Sequence, residues 1–311
     1  MTTKRETKDV YEIIREKIVT SLESGTIPWQ KPWNSKAQVN AISKRPYSGI
    51  NVFLLPRTYA DNRWVTYKQA GDLGGNVRKG EKSSMVVFWM LMKKEDESGK
   101  EKTIPLLRYY NVFNVEQCEN LTKLSALEPT VTASGSLDRI ETADAIIAAM
   151  PNAPRIYHSQ TDRAFYSPSA DSVHLPPRET FKSVDAYYAT KFHELTHSTG
   201  HRSRLDRFTE EEQTFVFRSD TYSKEELTAE FGSAFLCGLA GIDNTDVLEN
   251  SAAYINNWLS AIKGADKRML VQAASKAQKA ADYIIAATET EEGDDESPAP
   301  SGAALELVGA A

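Results

Sequence analysis

His193, Glu194 and His197 stand as H-E-x-x-H in the stretch Phe192-His-Glu-Leu-Thr-His-Ser-Thr-Gly200. Two histidines four residues apart lie about 40° apart around a helix, so both imidazoles can reach one ion from the same face. Glu194, next around from the first histidine, faces the coordination position left open and is placed to take a proton from the water that attacks there. The pattern requires a helix, and the flanking residues supply one. Ser183 is a candidate N-cap, Asp185 falls in the first turn, Val184, Tyr187, Tyr188, Lys191 and Phe192 form a mostly apolar stripe, and Gly200 is placed to end the helix. Two helical histidines can also merely flank a core. Here three of the five histidines, His193, His197 and His201, fall within nine residues, and that clustering favours a site for zinc, or for another divalent ion such as Mn2+.

A hydrolytic zinc site needs three protein ligands and one open position, so a further side chain must come from downstream. The metzincin solution places a histidine six residues after His197; that position is Ser203, and His201 is out of register. The gluzincin solution takes a glutamate from a second helix. Residues 222–236 read as that helix, with Leu227, Phe231, Ala234 and Phe235 on one apolar face. Glu226 and Glu230 share a face, and Glu226-x-x-Ala229-Glu230 is similar to the E-x-x-A-D/N element of several zincin families. Glu226 is the expected ligand, and Glu230 the expected acceptor for an imidazole N–H, with the reverse assignment open. A competing reading makes Ser223-x-x-Glu226 a capping box that turns this carboxylate onto the backbone. His201, Arg202, Arg204 and Arg207 read as a solvated basic turn, or as a substrate or oxyanion contact beside the ion.

The chain is long enough for two domains: 311 residues, 41% hydrophobic and 26% charged. No apolar run approaches the roughly 18 residues that span a membrane, and the first residues lack the apolar core of a signal peptide. With only Cys118 and Cys237 there is no disulfide framework, so a cytoplasmic protein is expected, both thiols being small apolar residues. The net charge of −6 conceals a division. Residues 1–125 carry 21 Lys+Arg against 14 Asp+Glu, or +7, and the remainder carries −13.

Periodicity predicts an α+β protein of two domains: a basic, aromatic-rich domain at 1–125, a linker at 126–135, a metal-binding domain at 136–288 and an acidic disordered tail at 289–311. Helices are expected at 8–24, 66–73, 137–150, 183–199, 222–236 and 251–287. Strands are expected at 85–92 and 106–113 around a hairpin loop at 93–102, and at 164–175 as two short strands round a turn, placed as an edge strand would be.

Single-stranded nucleic acid is usually held by cations that track phosphates and by rings on which bases stack, each stacked base contributing about 1–3 kcal/mol. Lys44, Arg45, Arg57, Arg78, Lys79 and Lys82, interleaved with Trp29, Trp33, Tyr47 and Trp64, supply both ingredients, although many such rings must be core. Gly75-Asn-Val-Arg-Lys-Gly80-Glu81-Lys82-Ser83 is a near miss to a P-loop. Glu81 stands where lysine should follow the second glycine, so nucleotide hydrolysis is not expected; a tight basic turn near phosphate, or an ordinary hairpin, is.

Taken together, Tyr47-Ser-Gly-Ile-Asn51, Trp64-Val-Thr-Tyr-Lys-Gln69, Gly75–Ser83, Tyr109-Tyr-Asn-Val-Phe-Asn-Val-Glu116 and Phe192–Leu205 resemble the plasmid antirestriction proteins of the ArdC type, related to the N-terminal region of some conjugative plasmid primases. The resemblance spans most of residues 8–240. It implies an N-terminal domain that binds single-stranded DNA, a C-terminal zincin-like metallopeptidase domain, and protection of incoming plasmid DNA from host restriction, with a host restriction protein as one conceivable protein substrate. The rival expectation is a non-enzymatic DNA-binding decoy whose metal domain is structural or only binds a partner.

Overall fold

Val10, Ile14, Ile18 and Leu22 recur at every fourth position, and in the computed structural model they form the buried stripe of α1 (Val10–Glu23), whose first turn is capped by the Asp9 carboxylate accepting from the Tyr11 N–H. The structure describes residues 9–30, 37–95, 101–124, 138–158, 163–208, 220–245 and 252–287. Trp33, the linker expected at 126–135 and the tail expected at 289–311 lie outside the described residues.

A 3-10 turn at Pro28–Gln30 follows α1 and leads to β1 (Val39–Asn40), α2 (Asn51–Leu54), β2 (Arg63–Thr66), α3 (Tyr67–Asp72), β3 (Asn76–Val77), β4 (Ser84–Glu95), β5 (Glu101–Asn114) and β6 (Cys118–Glu119). Four strands form a sheet in the order β1-β2-β5-β4, antiparallel except for β1 beside β2; β3 and β6 make a separate pair. The β4–β5 ladder continues to Glu95 and Glu101, so much of the stretch expected as a hairpin loop is paired strand. α3 starts on a full capping box, Thr66 with Gln69.

The second half contains α4 (Arg139–Ala149), β7 (Arg155–His158), β8 (Phe165–Ser167), β9 (Ser172–Leu175), α5 (Val184–Ser198), α6 (Asp220–Ala240), α7 (Ala252–Gly264) and α8 (Met269–Ile284). Its sheet runs β7-β9-β8, with β7 parallel and β8 antiparallel to β9. The alanine-rich stretch expected as one helix divides into α7 and α8, and Ala273, Ala274, Ala277 and Ala281 let α8 lie close to α6. The fold is α+β, as the periodicity predicts.

One apolar core joins the two halves. Trp29 meets Phe231 of α6 edge-on at 5.2 Å, Phe53 meets Phe231 at 4.6 Å, and Phe53 stacks on Phe235 at 5.2 Å. Polar contacts fix the same seam: Asn244 Nδ2 donates to the Trp29 carbonyl and Gln30 Nε2 to the Thr245 carbonyl, both at 3.0 Å. Burying rings of this size contributes about 1.5–3 kcal/mol each. Among the described residues, no helix is long and apolar enough to cross a membrane.

Candidate metal centre

α5 begins where expected, with the Ser183 hydroxyl accepting from the Ala186 N–H at 3.0 Å. It buries Tyr188, Phe192 and Leu195 and turns His193 and His197 to one side. α6 crosses α5 at Gly232, where any Cβ would collide with the Thr196 side chain, and Ser233 Oγ ties the crossing by donating to the Ala189 carbonyl at 2.8 Å. That close approach carries Glu226 to the histidines. His193 Nε2 and His197 Nε2 lie 3.1 Å apart, and the two Glu226 oxygens lie 3.6 and 3.5 Å from them. Because α6 starts at Asp220, one turn before Ser223, Ser223 is not an N-cap and the capping-box reading does not apply.

The imidazole that receives a carboxylate is His197, and the donor set is ordered from behind by residues the spacing did not reveal. His197 Nδ1 bonds Glu225 Oε1 at 3.0 Å, which turns Nε2 toward His193 and Glu226 and makes it the nitrogen that the neutral ring would offer to an ion. Glu225 is itself buried and held by Arg207, whose guanidinium also donates to the Thr196 carbonyl at 2.6 Å. Glu230 does not play the role expected of it. Its Oε1 accepts from the Tyr254 hydroxyl at 2.9 Å, and it lines a cavity of about 240 Å³ with Ala189, Thr190, His193, Glu226, Ser233 and Asn244. No sequence signal singles out Glu225, which looks like the outward neighbour of a ligand until α6 is placed.

Burial works against a charge on either histidine, but Glu226 for His193, and Glu226 and Glu225 for His197, outweigh it and raise both above the usual imidazole value. Burial likewise opposes ionisation of Glu226, and the two histidines reverse it and hold the carboxyl well below its usual range. With the imidazole protons displaced, two nitrogens and a carboxylate oxygen within 4.8 Å of one another suit a cation, and a divalent ion fits the set.

Glu194 is buried beside these donors and reaches β8 as well. Burial raises its carboxyl above the ordinary range, while His193, His197 and the Tyr166 backbone N–H pull it back. The segment after α5 is only in part a solvated turn: Arg202 is exposed, but two of its arginines are not. Arg204 is buried and bound to Asp171, the Tyr166 hydroxyl (3.2 Å), the Ser198 carbonyl (2.6 Å) and the Asn152 carbonyl (2.8 Å), and so clamps β8 and β9 to the end of α5. Arg207 braces Glu225, so neither guanidinium is left to meet substrate. Gly200 is required because the Phe208 ring occupies the space a side chain would fill.

The basic half distributes its residues differently. Trp29 and Trp64 are fully buried and Tyr47 is buried with Phe88 and Val86 in the sheet core, so these three rings, expected to stack bases, are structural. Trp64 Nε1 bonds Gln38 Oε1 at 2.5 Å. Arg57 and Lys44 are half-buried, and desolvation lowers Arg57 to about 10. Arg45, Arg78, Lys79 and Lys82 are exposed, Arg78 pairing with Glu81 at 2.7 Å. Among the described residues the exposed rings here are Tyr67 (67%) and Trp89 (50%), which burial alone distinguishes from their neighbours. The Gly75–Ser83 segment is a tight turn between two sheets and not a hairpin, since β3 pairs with β6 and β4 with β5: Gly75 lies against the backbone at Glu119, Gly80 has φ +91°, and Glu81 is tied to Arg78 and Gln117.

A helix-borne H-E-x-x-H, a glutamate delivered by the next long helix and a small sheet whose outer strand borders the site define a zincin-like metallopeptidase domain, and residues 141–276 match the family described as zincin-like metallopeptidase. Residues 8–113 match the N-terminal domain of the anti-restriction factor ArdC. The chain belongs to the family of ArdC-type antirestriction proteins. It is similar to the crystal structures of antirestriction ArdC protein from the R388 plasmid, metal-free (41% identity, TM-score 0.71) and Mn(II)-bound (39%, 0.70), each alignment covering 89% of this chain and 97% of that one. The uncharacterized protein y4eC of Sinorhizobium fredii is 33% identical across 89% of this chain and 92% of its own length. Two Escherichia coli proteins described as DNA primase TraC are 38% and 37% identical over 90% of this chain, which spans only 27% and 20% of their lengths.

Proposed function

We propose that the protein is a metal-dependent peptidase that also binds single-stranded DNA, and that it protects incoming plasmid DNA from host restriction. The observation that carries the reading is the convergence of His193, His197 and Glu226 beside a buried Glu194 that reaches the outer strand β8. His193, His197 and Glu226 would hold a divalent ion, zinc by the chemistry of two imidazoles and a carboxylate, or Mn(II) by the example of the similar R388 protein. When bound, the ion supplies Lewis acidity, polarising a carbonyl and favouring attack by water near neutral pH.

The chain's own residues do the rest. Glu225 and Arg207 keep His197 in the tautomer that offers Nε2. Glu194, buried beside the histidines, takes a proton from the attacking water as its oxygen adds to the carbonyl carbon. It then gives that proton to the nitrogen that leaves as the C–N bond breaks. An extended peptide laid along β8 would bring its carbonyl to this carboxylate. DNA is held by the exposed cations Arg45, Arg78, Lys79 and Lys82 and by the rings of Tyr67 and Trp89.

Plasmid establishment in a restricting host tests the reading with wild type, Glu194→Gln and His193→Ala/His197→Ala. Loss of protection in both variants, with folding intact, is the expected result. Loss only in the metal-free variant points to a structural ion, and full protection by both leaves DNA binding as the whole activity.

A further inference from the structure

We infer that the solvent face of the three-stranded sheet recognises an aromatic side chain in an extended peptide that adds along β8 as a fourth strand. This rests on the peptidase reading of the adjacent site. Strand register aligns Tyr157 with His174 and His174 with Phe165, so three rings form one row across β7, β9 and β8. His174 lies 4.6 Å from Phe165 at 8° between planes, and 5.3 Å from Tyr157 at 26°. Ser172 Oγ, at 3.0 Å from His174 Nε2, fixes the middle ring. The opposite face of the same strands buries Tyr166, Val173 and Leu175 against α5. Yet Tyr157 and Phe165 remain 46% and 43% exposed. Rings aligned, stacked and left half in water on one face form an apolar contact surface.

β8 is the outer strand of this sheet, and its geometry says what would cover the row. Along an antiparallel strand, backbone groups of successive residues point to opposite sides. The Tyr166 N–H reaches Glu194, so the backbone of Tyr166 faces outward and that of Phe165 faces β9. A peptide added antiparallel outside β8 therefore meets Phe165 as a non-hydrogen-bonded pair, the kind whose Cα atoms approach to about 4.5 Å and whose side chains come closest. The side of Phe165 turned away from His174 is the next place in the row, and a flat ring continues it. Because Glu194 lies at the same edge, a ring seated on Phe165 also fixes which peptide bond of the bound strand sits at the site. Phe165 is thus a specificity-determining residue.

The test uses the full chain loaded with Mn(II). Glu194→Gln protein is applied to an array of extended peptides in which each position is scanned through all side chains, and wild type is given the same peptides with cleavage read by mass spectrometry. Phe165→Leu, which keeps apolar bulk but removes the ring, and Phe165→Ala are compared after circular dichroism and metal content verify their folding. Peptides with Phe, Tyr or Trp at one position should bind about tenfold tighter than their alanine counterparts, and Phe165→Leu should bring that ratio close to one. Absence of peptide binding, absence of aromatic selection, or selection unchanged in Phe165→Leu overturns the inference. So does weakened binding of oligothymidine by Phe165→Leu without aromatic selection, which assigns the row to nucleic acid. Aromatic selection on the array with no cleavage by wild type leaves the docking surface standing and removes the peptidase reading.

Discussion

The metal centre and the four-stranded sheet place charge and aromatic rings in opposite ways. Around α5 and α6 the ionisable groups are inside: Glu194, His197, Glu225 and Glu230 are all buried, and Glu225, His197 and Arg207 form a chain of contacts that orients one nitrogen. In the sheet Trp64, Tyr47 and Val86 are inside, while Trp89 and, on the connecting turns, Arg45, Lys79 and Lys82 stand in water. A buried charge is tolerable only when paired, so the first arrangement fixes geometry; an exposed charge costs little and fixes nothing. Chemistry that needs angles would suit the first arrangement, and attraction to a polyanion would need only the second.

The sharpest way to break this contrast is to remove one ligand. His197→Ala should lower metal affinity by more than about a thousandfold, because two remaining donors cannot hold the ion against water, whereas Glu194→Gln should retain stoichiometric metal and lose hydrolysis by about 10²–10⁴-fold. Metal analysis after gel filtration separates the two, and equal retention in both would place the ion elsewhere. Glu225→Gln tests the orienting chain and should weaken metal binding by about 10–100-fold, with Arg207→Ala moving affinity in the same direction. An unchanged affinity in Glu225→Gln would reduce that contact to packing.

Proton competition gives a smaller, graded effect. In the metal-free protein the charged forms of His193 and His197 are favoured, so their carboxylate pairing stabilises the fold fully below the ordinary histidine value near 6.5 and is lost as pH rises through the raised values. Glu226, depressed, contributes in the opposite sense: its share is present above the ordinary carboxylate value and disappears only as acid reaches the lowered one. The ion must displace the histidine protons. Metal affinity measured by calorimetry should therefore rise with pH across neutrality, by up to about tenfold per unit for each proton released. A flat profile would contradict the raised imidazole values. Least in size, Lys79→Ala/Lys82→Ala should leave thermal stability unchanged and flatten the salt dependence of oligothymidine binding by about 1–2 in log–log slope. Trp64→Ala should do the reverse, destabilising the fold by about 3–5 kcal/mol as a core ring.

These regions also differ in how far they can be read without coordinates. H-E-x-x-H fixes two histidines and a glutamate because helical spacing alone sets their directions. Glu226 required a second helix, which periodicity supplied. Glu225 was hidden because adjacency in sequence places it about 100° from Glu226, and only the tilt of α6 against α5 at Gly232 shows that this direction faces His197. Arg204 and Arg207 looked solvent-bound because basic residues after a helix usually are; their burial depends on Asp171 and Glu225, distant in sequence. For Trp29, Tyr47 and Trp64 the composition was real but silent about direction. A tryptophan is equally suited to a core and to a base, and nothing local distinguishes Trp64 from Trp89.

The seam of Trp29, Phe53, Phe231 and Phe235 also limits how genes of this kind can be cut and joined. A break placed near residue 125 severs only one peptide bond, but each resulting piece would carry away half of a set of interlocked rings and present them to water. Recombination that moved one piece alone would deliver a polypeptide prone to aggregate. In the two similar Escherichia coli proteins described as DNA primase TraC the similarity runs over 90% of this chain, so both halves are found together inside much longer proteins.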